Sequence, residues 1–293
     1  IFTGGSNMEK ALKTDMPYII AETAYSFEGD KDYLIKQISE LKGKNIDCIK
    51  YHIMFNKDEY AVKDYTVLNN YLDKWILSKE EWKYILESSK ENGLDTLVLT
   101  DDIEAIKFCK ENNKLVDAIE VHAACVNDLE IINLAIKFAK EYNKVFITGI
   151  SGFEFQELSA IIEYVKKSEI EKVVLMYGFQ NFPTRLEDIN LSKISLIQKA
   201  FGYKVGYADH TKFDDNNKEN LINTSYSLGA NIQEIHYVLK EGEEKIDYIT
   251  GVSAEKLYKI KSNLESTAIS IGKVDSRFNK KKKKYLNFRK VPV

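Results

Sequence analysis

Short apolar runs and longer amphipathic stretches alternate along residues 17–272. The runs are YIIAE (18–22), IDCIKYHI (46–53), LDTLVLT (94–100), VDAIEVHA (116–123), KVFITGI (144–150), KVVLMYG (172–178), YKVGYA (203–208) and NIQEIHYV (231–238). They are rich in Val, Ile or Tyr, as strands buried on both faces are. Between them, apolar residues recur at helical spacing. Residues 32–44 place Leu34, Ile35, Ile38 and Leu41 on one face. Residues 78–92 open on Ser-Lys-Glu-Glu, a capping box, and turn Trp82, Ile85 and Leu86 inward. The same pattern predicts helices over 102–112, 127–142, 153–167, 191–201, 216–228 and 253–271. Gly43, Gly93, Gly202 and Gly229 stand where helices should stop.

Eight strands in strict alternation with eight helices imply right-handed crossovers and a parallel sheet. At this length the expected fold is α/β, a closed (β/α)8 TIM barrel. A doubly wound open sheet is the rival. The first strand leads into AETAYSFEGD, which lacks the glycine-rich dinucleotide fingerprint. The expected organisation is one barrel domain over 17–273. Residues 1–16 read as a tag remnant and N-terminal extension with Met8 as the native start, and 274–293 as a basic tail or linker. Residues 55–77 are the longest stretch between elements and are expected as a loop over the barrel mouth.

Composition narrows the class. The 293 residues carry 42 basic and 45 acidic side chains, a net charge of -3, which excludes a globally basic nucleic-acid binder. A hydrophobic content of 44% argues against general disorder. No apolar run reaches the ~18 residues of a membrane span, and IFTGGSNMEK has no secretory apolar core. Cys48, Cys109 and Cys125 lack metal-type spacing, so a reduced, cytoplasmic setting is expected. The lysine run 280–284 reads as a solvated tail.

In a barrel of this type the active site lies at the C-terminal ends of the strands. All four histidines, His52, His122, His210 and His236, fall at or just after such an end. The bland reading of any one is a satisfied core or rim residue, but four together point to a shared polar site. Glu22 ends the first strand. Lys50 and His52, Glu120 and His122, and Glu234 and His236 each share a strand face. Asp209 and His210 follow the seventh strand, and Asp247 lies in the loop after the eighth. Charges in apolar strands are costly unless paired or metal-bound. Glu234 reads first as a packing-layer ion pair lower in the barrel. Two imidazoles with carboxylates and water suit a divalent metal with open positions, acting as a Lewis acid on a carbonyl oxygen. A Schiff base on Lys50 is the competing chemistry. Glu22 could equally hold Lys50 charged as a phosphate anchor.

Several segments, in order over residues 17–272, resemble the sialic acid (nonulosonate) synthase family. IIAETAYSFEGD is similar to its first-strand Ile-Ile-Ala-Glu and Gly-Asp. IDCIKYH resembles its Val-Lys-Phe-Gln. NFPTRLEDINL is similar to its Tyr-Pro-Thr-Pro, Glu-Asp, Asn-Leu segment. VGYADHT resembles its most specific motif, Gly-Tyr-Ser-Asp-His-Thr. EIHYVL with Asp247 resembles its Glu-Lys-His-Phe-Thr-Leu and later Pro-Asp-His. The family condenses phosphoenolpyruvate with the open-chain aldehyde of an N-acyl sugar, using manganese or magnesium. The resemblance implies His210 and His236 as metal ligands, and Glu22, Lys50 and Asp247 as catalytic residues. Here Glu22 would be the acid/base, Lys50 would lie near phosphoenolpyruvate, and Asp247 near metal or sugar. Substrate contacts are expected from His52, Glu120, His122, Gln180, Asn181, Tyr207 and Asp209.

The departures lie in the donor site. Ser26 and Phe27 stand where the family has Asn-His. Glu120, Val121, His122 and Ala123 replace Lys-Ile-Gly-Ser, and Cys125 follows where the family has Glu. His52 replaces Gln, Ala208 replaces Ser, and MYGFQN precedes the Pro-Thr pair where the family has His-Cys-Thr. Glu120 thus reverses a charge that normally meets phosphate, which should weaken phosphoenolpyruvate binding. YLNFRKVPV resembles only the linker into the family's antifreeze-like domain. The family suggests a homodimer, but its usual dimer swaps that domain. The expected function is metal-dependent synthesis of a sialic-acid-like nonulosonate. The alternatives are other aldol-type chemistry or a non-catalytic sugar-binding homologue.

Overall fold

The computed structural model describes residues 6–60, 66–126, 128–179, 181, 183–272 and 284. Eight strands close a parallel barrel in sequence order. They are β1 (Tyr18–Glu22), β2 (Cys48–Ile53), β3 (Asp95–Thr100), β4 (Ala118–Val121), β5 (Val145–Gly149), β6 (Val173–Gly178), β7 (Lys204–Asp209) and β8 (Ile232–His236). β1 pairs with β2 and with β8, which removes both sheet edges and excludes the open-sheet rival.

Every strand except the first residue of β7 is buried throughout. Period-2 alternation divides their side chains into two cores. The outward set, with Ile19, Ile49, Val98, Ile119, Phe146 and Leu175, packs under the helices. The inward set, with Ile20, Leu97, Ala118, Ile147, Val174 and Ile232, fills the barrel. The capping box at Ser78 and Glu81 is present, and Gly43 and Gly202 end their helices with φ of +76° and +77°.

Two regions differ from the sequence expectation. Helix Asn7–Lys13, within the stretch read as tag and extension, closes the foot of the barrel. Met8 and Ala11 join the inner core, and the Met8 amide donates to Asp95 Oδ2 at 2.8 Å. Its seven residues carry too few apolar positions for the helical period to stand out. The stretch 55–77 is not a plain loop. It holds helices Lys57–Tyr60 and Thr66–Trp75, and buries Leu72 and Trp75. Trp75 stacks on Tyr25 from the β1 loop, ring centroids 4.8 Å apart. Gly29 makes this approach possible. It has φ +85°, and a Cβ there would lie 1.9 Å from the Lys74 carbonyl oxygen. Apart from Lys284, the basic tail lies outside the described residues.

Candidate active site

The strand alternation that fills the lower barrel with aliphatic residues turns polar at its C-terminal end. Glu22, Lys50, His52, Glu120, His122, His210, Glu234 and His236 face one cavity of about 170 Å³, with Tyr25, Tyr60 and Asp247 from the loops above. A larger groove of about 490 Å³ lies behind the β5 and β6 ends, lined by Phe153, Tyr177, Phe179 and Lys193. No potential metal-ligating cluster falls in that groove among the described residues. The Glu22, His210 and His236 cluster lines the smaller cavity.

On the β1, β7 and β8 side, one ligand atom each from Glu22, His210 and His236 lies within 4.8 Å of the others, all three residues buried. His236 Nε2 is 3.2 Å from Glu22 Oε2, and the two imidazoles meet edge-on at 5.0 Å. Burial, reinforced by the neighbouring His236, pushes the His210 pKa down to about 3, so its ring is neutral with a lone pair to offer. Burial alone would raise the Glu22 pKa, but Lys50 and His236 outweigh it and hold the carboxyl well below the usual range. Two imidazoles and one ionised carboxylate fit a divalent ion.

The β2 and β4 side is organised differently. Lys50 Nζ lies 3.1 Å from Glu22 Oε1, 2.9 Å from Glu120 Oε2 and 2.9 Å from Glu234 Oε2. Burial opposes its charge, yet Glu120, Glu22 and Glu234 prevail and raise its pKa well above the ordinary lysine value. A Schiff-base lysine needs the opposite shift. Burial and the Glu22 charge keep the Glu234 carboxyl well above the normal range, and burial raises Glu120. Glu234 contacts Lys50 at the cavity floor rather than in a packing layer below it.

His52 Nε2 meets Glu22 Oε1 at 2.9 Å, and Nδ1 lies 3.6 Å from Asp101 Oδ2, which also accepts from Tyr25 OH at 2.6 Å. Burial disfavours the imidazolium, but the neighbouring Asp101 and Glu22 carboxylates carry its pKa to about 10. Burial and the nearby His52 push His122 down to about 4. Its Nδ1 accepts from the Ala124 amide at 3.2 Å, which places any ring proton on Nε2.

Not every expected site residue arrives there. Tyr207 and Asp209 sit on the outward face of β7, because Gly206, Ala208 and His210 take the inward parity. Asp209 accepts from Tyr207 OH, Thr211 Oγ1 and Lys218 Nζ behind the barrel wall. Asn181 is exposed and outside the cavity lining, and Gln180 lies outside the described residues. Asp247 does reach the cavity, from a left-handed backbone with φ +62°. Sequence reasoning missed Tyr25, Tyr60 and Asp101. Asp101 follows β3 directly and obeys the strand-end rule that found the others, but reads in sequence as the start of a helix.

Comparison with known proteins bears on this arrangement. The profile of the NeuB family matches residues 44–276. The chain belongs to the NeuB family. An uncharacterized protein of Methanocaldococcus jannaschii is 25% identical over 89% of this chain and 73% of its own length. The pseudaminic acid synthase of Campylobacter jejuni is 25% identical over 83% of this chain and 70% of its own. The crystal structure of a Leptospira borgpetersenii N-acetylneuraminic acid synthetase superposes with a TM-score of 0.82 at 19% identity, covering 94% of this chain and 92% of the other. Eight parallel strands closed with alternating helices are thus the NeuB barrel in this chain as well. Among the described residues no helix is long and apolar enough to cross a membrane.

Proposed function

We propose that this NeuB-family barrel is a metal-dependent enzyme that condenses phosphoenolpyruvate with the open-chain aldehyde of an N-acyl sugar, giving a sialic-acid-like nonulosonate. The observation that carries the reading is the convergence of Glu22, His210 and His236 within 4.8 Å at the cavity floor. A divalent ion held there, manganese or magnesium, supplies Lewis acidity to a carbonyl oxygen. The names of the pseudaminic acid and N-acetylneuraminate-9-phosphate synthases among the relatives support the product class.

The residues divide the remaining work. Glu22, held ionised, suits a metal ligand better than the acid/base role that the resemblance implies. Glu120 and Glu234, whose carboxyl pKa values burial shifts upward, are the candidate proton carriers. His122 offers a neutral N–H, and Asp247 faces the sugar from above. Tyr25 and Tyr60 line the cavity, Trp75 stacks on Tyr25 from outside the lining, and this aromatic wall limits water.

A second reading is favoured by one observation: three carboxylates already engage Lys50. An aldol-type addition by a donor without phosphate needs no free cation there. The test supplies manganese-loaded protein with N-acetylmannosamine and either phosphoenolpyruvate or pyruvate. Phosphate release with a new nine-carbon acid supports the first reading. Product from pyruvate alone supports the second. Neither product, with metal bound, would reject both.

A further inference from the structure

We propose that Lys218 is a positioning residue for the metal centre, one buried ammonium that clamps His210 and Asp247 from behind the barrel wall. The proposal rests on the metal reading of Glu22, His210 and His236. Lys218 opens helix Lys218–Ser227, outside the strands, and is 0% exposed. Its Nζ donates to Asp209 Oδ2 at 2.5 Å, to the Thr211 carbonyl at 2.9 Å and to the Thr250 carbonyl at 3.2 Å. An ammonium has three N–H bonds, so these acceptors use all of them.

The acceptors bracket the two cavity residues. Asp209 and Thr211 are the residues immediately before and after His210. Thr211 Oγ1 lies 2.9 Å from each Asp209 carboxylate oxygen, which ties the bracket together. The His210 carbonyl accepts from the Thr184 amide at 2.8 Å. Three successive residues are thereby fixed, and the imidazole direction follows from them. On the other side, the Thr250 amide and hydroxyl donate to the Asp247 carbonyl at 3.3 and 3.2 Å. Asp247 holds a left-handed φ of +62°, a conformation that persists where surroundings enforce it. One cation thus fastens His210, the residue just past β7, to the loop that follows β8.

Stability alone does not call for this arrangement. Replacing a buried ion pair by neutral groups of similar volume is often neutral or stabilising, whereas removing one partner is costly. The electrostatic sign also separates the possibilities. Lys218 is a positive charge beside a cation site, so charge alone predicts tighter metal binding when it is removed. A positioning role predicts weaker binding.

The test compares wild type, Lys218→Met and the double variant Lys218→Met/Asp209→Asn by manganese titration calorimetry, with thermal unfolding alongside. The double variant removes both charges together, so the fold does not carry an unpaired buried carboxylate. The expected result is a double variant that melts near wild type but binds Mn²⁺ about 10- to 100-fold more weakly, the usual cost of losing an orienting partner. Weaker binding by Lys218→Met would run against the Coulomb sign and support the same conclusion. A double variant that binds Mn²⁺ as tightly as wild type overturns the clamp while leaving the metal site standing. Wild type that binds no Mn²⁺ overturns the metal reading, and the clamp with it.

Discussion

Two walls face each other across the NeuB cavity, and they are built on opposite principles. The β1, β7 and β8 wall gathers Glu22, His210 and His236 as ligand atoms, with Lys50 and His52 reaching Glu22 from its edge. It coincides with the segments most similar to the synthase family. The β2 and β4 wall, where His52, Glu120 and His122 depart from that family, is instead a closed charge network. Lys50 serves three carboxylates, and His52 bridges Glu22 and Asp101. Glu22 belongs to both walls. The comparison teaches that the charge available to a substrate depends on what a side chain already pairs with. Lys50 stays a cation, but its ammonium already faces three carboxyl groups.

The largest expected effect falls on the first wall. His236→Ala should weaken Mn²⁺ binding by more than about 100-fold, beyond the loss of a mere orienting partner, as read by calorimetry. Unchanged affinity would erase the distinction between the walls. Lys50→Met should strip the second wall of its central charge and cost about 3–5 kcal/mol of stability in urea unfolding. A loss under about 1 kcal/mol would mean that the carboxylates are not held by Lys50, and adding Glu120→Gln should restore part of the loss. Glu120→Lys should return a free cation to the donor side and tighten phosphoenolpyruvate binding about tenfold, the worth of one charge-assisted hydrogen bond. No gain would place the phosphate elsewhere. The smallest effect is expected from Asn181→Ala, exposed and away from both walls. Its stability should stay within about 0.5 kcal/mol of wild type, and its Mn²⁺ affinity should not move.

The barrel was legible in the sequence because eight buried strands each write a short apolar run. The polar cavity was legible because charged residues interrupt those runs at one end only. Glu22, Lys50, Glu120, His210 and His236 all came from that rule. Parity set its limit. Tyr207 and Asp209 are odd-numbered neighbours of the inward Gly206, Ala208 and His210, and a strand cannot turn adjacent side chains to one face. Partner choice was not legible either. Glu120 and Lys50 stand on strands separated by β3, and the inward curvature of the sheet brings them within 2.9 Å. Lys218 reads as one more helical lysine until the helix is docked. Helix Asn7–Lys13 is short, and its two buried residues leave no periodic trace.

The central claim is that Glu22, His210 and His236 hold one divalent metal. Anomalous diffraction from crystals soaked in Mn²⁺ tests it most directly. A single strong manganese peak is expected within coordination distance of the Glu22 carboxylate and both imidazoles. A peak bound by other residues, or none in this cavity at saturating Mn²⁺, would contradict it.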